Sequence, residues 1–414
     1  MTTPTTTERR PLRGSALLVL AGIVVVALNL RATITVVGPL VPTIRADLGV
    51  GNVAMGAVGT LPVLAFGLVA PLAPALGRRI GIGRSLAASM VLLALGTVLR
   101  SAGGYALLLA GTVLLGIAIG IGNVLVPALI KGAFPNRVGQ LTSVYGSLMV
   151  VGATVSAAVA VPFAQASGWQ WSMGIWAVPA AIGAAVVIAS VVIDDRASNA
   201  AQRAEATAAR RAEVGIPARV IHRSTVAWHV TAFMGLQSLL FYVALAWLPD
   251  VLVERGMTDA RAGVMVSILN IGGLVGVLVA PILADRVRDQ RWYSLVSGAA
   301  AVIGVAMLLV PGTALAAVAS AVLGLGLGAT VGLAFAFFSL RTSTATEAAA
   351  VAGMAQTWGY LVSALGPILW GALRDASASW TVPLLALLAV AIGTTIAGYL
   401  AGRDRLLDLV TADR

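Results

Sequence analysis

Apolar residues in this 414-residue chain come in long blocks, separated by short stretches rich in Gly, Pro and Arg. Twelve blocks reach spanning length, at about 15–43, 53–76, 84–100, 105–130, 139–163, 171–193, 226–249, 261–284, 293–310, 314–340, 349–372 and 380–402. A bilayer-crossing helix needs roughly 20 mostly apolar residues, whereas a barrel strand shows roughly ten residues of alternating polarity. The pattern predicts an all-α integral membrane protein with twelve transmembrane helices. Its expected divisions are a tail over 1–14, a six-helix bundle over 15–193, a linker over 194–225, a second six-helix bundle over 226–402 and a tail over 403–414.

Composition removes several function classes. Only 10% of the residues are charged and 59% are hydrophobic, against about 25% charged in soluble domains. So few charges cannot cover a soluble globule, which excludes a cytosolic enzyme, a secreted scaffold and a disordered regulator. The lack of cysteine excludes disulfides, thiolate metal sites and a cysteine nucleophile. No Walker-type loop, HExxH, GxSxG or clustered metal-ligand pattern occurs, so no cofactor or metal is expected. An integral membrane enzyme would need acidic or histidine residues clustered at one face, which the spans do not offer.

The net charge of +11 reads as topology rather than nucleic-acid binding. Apart from Arg31, 21 of the basic residues fall in tails and loops on the N-terminal side. Five (Arg45, Arg100, Arg255, Arg261 and Arg374) fall in loops on the other. The positive-inside rule therefore places both termini in the cytoplasm, with the excess charge at the lipid surface. The first apolar run is too long for a signal-peptide core, so this helix is expected to stay in place. The linker mixes both charge signs with many alanines and could form a surface amphipathic helix.

The halves resemble each other. Leu40-Val41-Pro42 with Gly49, Asn52 and Gly56 matches Trp247-Leu248-Pro249 with Gly256, Asp259 and Gly263 at an offset of 207. Val69-Ala70-Pro71-Leu72 matches Val279-Ala280-Pro281-Ile282 at 210, and Gly116 and Gly120 match Gly324 and Gly328 at 208. Small offset changes between ordered matches indicate a duplicated six-helix unit, a plan found in secondary transporters. The paired glycines read as close-packing faces.

Candidate chemistry is sparse. Arg31 is the one charge deep in a span, where arginine costs about 2.5–3.5 kcal/mol even on lenient insertion scales. It should face a polar cavity as a planar fork for an anion, or else cap carbonyls of a broken neighbouring helix. Asn29, Asn123 and Asn270 serve equally as ligand contacts or interhelical glue. Pro127, four residues after Asn123, frees a backbone carbonyl there. In the seventh span Gln237, Ser238, Phe241 and Tyr242 form a polar-aromatic group, and Gln356, Trp358 and Tyr360 form another in the eleventh. At the loop after the second span stand Arg78 and Arg79, and after the eighth Asp285 and Arg286. These resemble the loop motif of the major facilitator superfamily, in which such residues latch helix ends. The acidic residue is present only in the second copy, with Ala73 and Pro74 near its place in the first.

Leu28-Asn29-Leu30-Arg31-Ala32-Thr33-Ile34-Thr35, continuing through Gly38-Pro39-Leu40-Val41-Pro42-Thr43-Ile44-Arg45, resembles the first-helix signature of the cyanate and 2-nitroimidazole transporter family of that superfamily. Gly235–Pro249 is similar to its seventh helix, and the resemblance runs along essentially the whole chain. It implies two pseudo-symmetric six-helix bundles, monomeric, with a central cavity and alternating access, moving small anions such as cyanate or nitroaromatic compounds. The fourth span lacks the intramembrane arginine of proton-coupled members, and no span holds Asp or Glu for a proton relay. The leading expectation is a cytoplasmic-membrane carrier of a small anion held by Arg31, with Asn29 and Asn123 beside it and Gln237, Ser238, Tyr242, Asn270, Gln356 and Tyr360 completing the site. The rival is efflux of nitroimidazole-like or other small drugs, uncharged or amphipathic, for which Arg31 is incidental.

Overall fold

The structure is a computed structural model that describes residues 13–50, 52–197 and 216–407. Among these residues every regular element is a helix, and each of the twelve expected blocks contains one long helix. They are α1 (Arg13–Thr35), α2 (Asn52–Val69), α3 (Ile82–Ser101), α4 (Tyr105–Ala133), α5 (Val138–Ser167), α6 (Ala177–Ala197), α7 (Thr225–Glu254), α8 (Asp259–Ala284), α9 (Arg291–Met307), α10 (Ala316–Leu340), α11 (Ala345–Ser377) and α12 (Thr381–Ala401). Among the described residues nine spans are long and apolar enough by themselves to cross a membrane. The others are the bent second span, the short α9 and the more polar α11.

Proline accounts for the breaks within the first two expected blocks. The second span bends by 57° between Val69 and Ala73, where Pro71 and Pro74 each remove a backbone donor. The first block stops as helix at Thr35 and goes on as a 3-10 turn over Gly38–Leu40 and a short helix Val41–Leu48, with Pro39 and Pro42 at their first turns. The sixth is preceded by a separate turn of helix, Trp169–Gly174. Arg100, expected in an outer loop, instead ends α3 buried against α4. Of the linker, the structure describes Ala218–Ile221 as a short helix. The expected surface helix falls mostly outside the described residues, as do the distal parts of both tails.

The duplication is visible in packing. Gly116 and Gly120 of α4 lie against Pro62 and Phe66 of α2, and Gly324 and Gly328 of α10 lie against Leu269 and Gly273 of α8. Each pair of contacts maps onto the other at an offset of 207 to 208. A methyl group on any of the four would press on the neighbouring helix, so these glycines set the interhelical distance.

The halves join toward the end of the bundle that carries residues 216–224, here called the linker side. Gly139 of α5 lies on Asp285, Gly146 of α5 on Val277 of α8, Gly67 of α2 on Leu361 of α11, and Gly353 of α11 on Ala70 and Pro74. Ser339 of α10 donates to the Pro127 carbonyl of α4 at 3.1 Å. Toward the opposite end the described hydrogen bonds stay inside each half, such as Tyr105 to Ala54 and Trp169 to Asp47 in the first, and Trp247 to Pro367 and Arg374 to Glu254 in the second. Phe66 touches Tyr360 across the seam. Gly59, two turns away on the same face of α2, has nothing within 4 Å of the position a Cβ would take. The halves are sealed at the linker side and diverge toward the other.

Candidate functional site at the head of the cleft

Arg31 stands inside the apolar stretch Ala16–Leu40, and its direction follows from what its helical neighbours touch. Leu28 meets Gly152 of α5, Leu30 meets Gly122 of α4, and Asn29 donates to the Pro179 carbonyl of α6 at 3.2 Å. At about 100° per residue, Arg31 projects between the α4 and α5 directions, into the cleft. Thr35 fixes the end of α1 by pairing with Ser156 at 2.6 Å and donating to the Ala153 carbonyl at 3.2 Å. The arginine is thus set by a helix clamped on three sides.

Its surroundings come from both halves. The guanidinium is within hydrogen-bonding reach of the Tyr242 hydroxyl of α7 and lies beside the phenols of Tyr360 in α11 and Tyr145 in α5. Tyr242 and Arg31 stay partly accessible, while Tyr145 and Tyr360 are buried. Phe66 meets Tyr360 edge-on with ring centres 5.6 Å apart, and Phe335 meets Tyr145 at 5.7 Å. The ion pairs among the described residues are Arg84–Asp195, Arg291–Asp289 and Arg374–Glu254; none includes Arg31. A permanent cation accordingly sits among neutral aromatic rings at the point where the halves part.

Beneath it runs a polar bridge. Tyr145 donates to the Asn123 side-chain oxygen at 3.0 Å, and Gln356 donates to the Asn123 backbone carbonyl at 3.1 Å. That carbonyl is the one freed by Pro127, which has no N–H to return to it. Gln356 and Tyr360 are four residues apart on one face of α11, so the bridge and the aromatic wall belong together.

The remaining expected site residues divide by helical geometry. Asn29 is two positions from Arg31, about 160° around the helix, and is spent on the carbonyls of Val25 and Pro179 rather than turned into the cleft. Ser238 shares the face of Tyr242. Gln237 is about 140° away from that face and bonds Met234 and Ser238 while buried. Asn270 lies two turns before Val277, which faces α5, so it looks toward the cleft from the second half. Arg78 is half-buried, and Arg79 and Arg286 are exposed at the linker side. Asp285 accepts the backbone N–H of Gly139 near the start of α5, across the seam. Burial pushes its carboxyl above the ordinary carboxylate range, against the pull of that N–H and of Lys131. In the first copy Pro74 packs on Gly353 instead.

Tyr145, Phe66 and Phe335 were not expected from sequence, because aromatic residues in apolar blocks look like packing. Tyr145 had a signal in its flanks: Thr142, Ser143, Gly146 and Ser147 make an unusually polar run for a span. A separate pocket lies within the first half, lined by Gly22, Ile23, Arg84, Val126, Ser190 and Asp195 among others. It contains none of the residues around Arg31.

Comparison with known proteins agrees with this architecture. A sequence profile described as Major Facilitator Superfamily matches residues 22–367. The chain is 39% identical to an uncharacterized transporter of Bacillus subtilis over 391 residues, covering 94% of each. It is 36% identical to the 2-nitroimidazole transporter of Escherichia coli over 391 residues, covering 94% of this chain and 96% of that one. With the cyanate transport protein of Escherichia coli the identity is 28% over 271 residues, covering 65% and 67%. Among solved structures, the proton:xylose symporter XylE superposes with TM-score 0.76 at 12% identity, covering 95% of this chain and 98% of that one. The transporter FucP in the outward conformation superposes with TM-score 0.68 at 13% identity, covering 94% and 100%.

Proposed function

The chain belongs to the Major Facilitator Superfamily, and from that premise we propose that this multi-pass membrane transporter moves a small planar anion held by Arg31. The observation that carries the reading is the uncompensated guanidinium facing the cleft, ringed by Tyr145, Tyr242 and Tyr360. A planar guanidinium offers paired donors that suit a carboxylate or another flat oxyanion and a single donor to the end of a linear anion such as cyanate, and phenol rings stack on flat substrates while donating hydrogen bonds. Charge asymmetry of the loops puts the linker side in the cytoplasm, so the open cleft faces outward. Alternating access then requires the Asn123–Gln356, Gly139–Asp285 and Ser339–Pro127 contacts to part as the cleft closes over Arg31 and Tyr242. Asn270 faces the substrate from the second half. Asn29 and Gln237 brace the helices that carry the site.

A second reading is favoured by the aromatic wall together with the relative that carries 2-nitroimidazole. A nitro group presents two coplanar oxygens, as a carboxylate does, so an uncharged nitroaromatic could use the same donors from Arg31. The test is uptake into vesicles of a panel of cyanate, nitrate, 4-hydroxybenzoate and 2-nitroimidazole by the wild-type protein, Arg31→Lys and Arg31→Ala. Arg31→Ala should lose anion transport, and Arg31→Lys should retain charge but lose at least tenfold in apparent affinity. Undiminished anion transport by Arg31→Ala would refute the anchor. Transport of the nitroimidazole alone would favour the second reading.

A further inference from the structure

We propose that the carrier works as an anion exchanger, moving one anion inward against another outward and returning empty only slowly. This rests on the reading of Arg31 as the anion anchor and adds the mode of coupling. Three observations carry it. The guanidinium of Arg31 has only neutral phenols beside it. Every Asp and Glu in the twelve helices lies in a first or last two turns, from Asp194 and Asp195 of α6 to Glu347 and Asp375 of α11. The seam below the site is closed by amide, carbonyl and apolar contacts around Asn123, Gln356, Phe66 and Tyr360.

In the state described, Arg31 keeps part of its surface accessible, so its charge is solvated in part. To change state, the cleft must close over the site before the linker side parts. With the site empty, that step encloses a lone guanidinium among phenol rings. An arginine cannot shed its proton, and a buried unpaired charge is strongly disfavoured. No carboxylate within the spans can swing in to neutralise it, and no proton can take the anion's place. A bound monoanion cancels the charge through paired hydrogen bonds, so the loaded site can be enclosed where the empty one resists. Net movement in one direction therefore stalls at the empty return, and an anion on the far side relieves it. The same arithmetic fixes the electrical signature. The empty site carries one positive charge and the monoanion-loaded site none, so exchange is electroneutral while empty return is sensitive to membrane potential.

The experiment uses the full chain in proteoliposomes loaded with whichever labelled anion of the cyanate, nitrate and 4-hydroxybenzoate panel it moves fastest, with the leak of protein-free vesicles subtracted. Efflux is followed into plain buffer and into buffer containing the same anion unlabelled. The expected result is at least tenfold faster efflux with anion outside, equivalent to about 1.4 kcal/mol in the limiting barrier. An imposed potassium diffusion potential should alter efflux into plain buffer and leave the exchange rate unchanged. Equal efflux into both buffers would overturn exchange while leaving the anion reading standing. Failure of every panel anion to move under either condition would overturn the anion reading, and exchange with it.

Discussion

Replacing Gln356 with leucine isolates the polar bridge that joins the halves beneath Arg31. Gln356 Nε2 donates to the Asn123 carbonyl at 3.1 Å, and Pro127 denies that carbonyl its usual helical partner. Leucine keeps the side chain's bulk and leaves a buried acceptor with no donor, a loss of about 1–3 kcal/mol. The penalty applies only while α4 and α11 touch, because once the linker side parts, water reaches the carbonyl. The change should therefore raise the population of the linker-open state by about 5- to 150-fold. The chain has no cysteine, so a single reporter thiol reads this shift directly. Ser143→Cys suits the purpose. Ser143 is buried between Gly139 and Gly146 on the face of α5 turned to α8, and its hydroxyl has no partner among the described residues. Labelling of that thiol requires the seam to part, and its rate should rise by the same 5- to 150-fold in the Gln356→Leu background. A rate within twofold of the Ser143→Cys parent would refute the claim that this bond holds the seam.

Other predictions follow from neighbouring contacts. The sealed state holds the Asp285 proton more tightly than an exposed carboxyl would. The seal is therefore favoured below the ordinary carboxylate range and weakens as pH rises through the raised value. Labelling at Ser143→Cys, normalised to the denatured protein, should increase with pH over that window, and Asp285→Asn should flatten the profile. Gly328→Ala drives a methyl group into the Gly273 backbone of α8 and should destabilise the second half by about 1–3 kcal/mol or more, seen as a lowered melting temperature in detergent. Arg374→Gln removes a partly exposed pair with Glu254 and should change stability by less than about 1 kcal/mol; a loss as large as that of Gly328→Ala would contradict this reading of the surface.

What could be read from sequence reflects where the bilayer leaves little choice. Spans must be long and apolar, so their number and order were legible, and the glycine pairs at offset 208 correctly marked close packing. Arg31 stood out because charge within a span is costly, and the carbonyl freed by Pro127 was legible from backbone chemistry alone; its acceptance of Gln356 across the seam was not. Asn29 and Gln237 looked like site residues because composition counts polar groups in a span without regard to direction. The 160° between Asn29 and Arg31, and the 140° between Gln237 and Tyr242, turn them elsewhere. Tyr145, Phe66 and Phe335 were hidden because a cavity wall and a packed core use the same aromatic residues. The sealed linker side depends on a balance of small contacts between halves, which no single segment reveals. The bend at Pro71 and Pro74 was legible as proline, but its angle depends on how α2 rests on α4 and α11.

Thermal unfolding of the purified protein with and without the panel anions probes the Arg31 site itself. An anion that binds the folded state at about 100 times its dissociation constant stabilises it by about 2.7 kcal/mol. The melting temperature of the wild-type protein should rise in a concentration-dependent way with at least one panel anion, and that of Arg31→Gln should not rise with that anion. An equal rise in Arg31→Gln would place anion binding elsewhere and contradict the account.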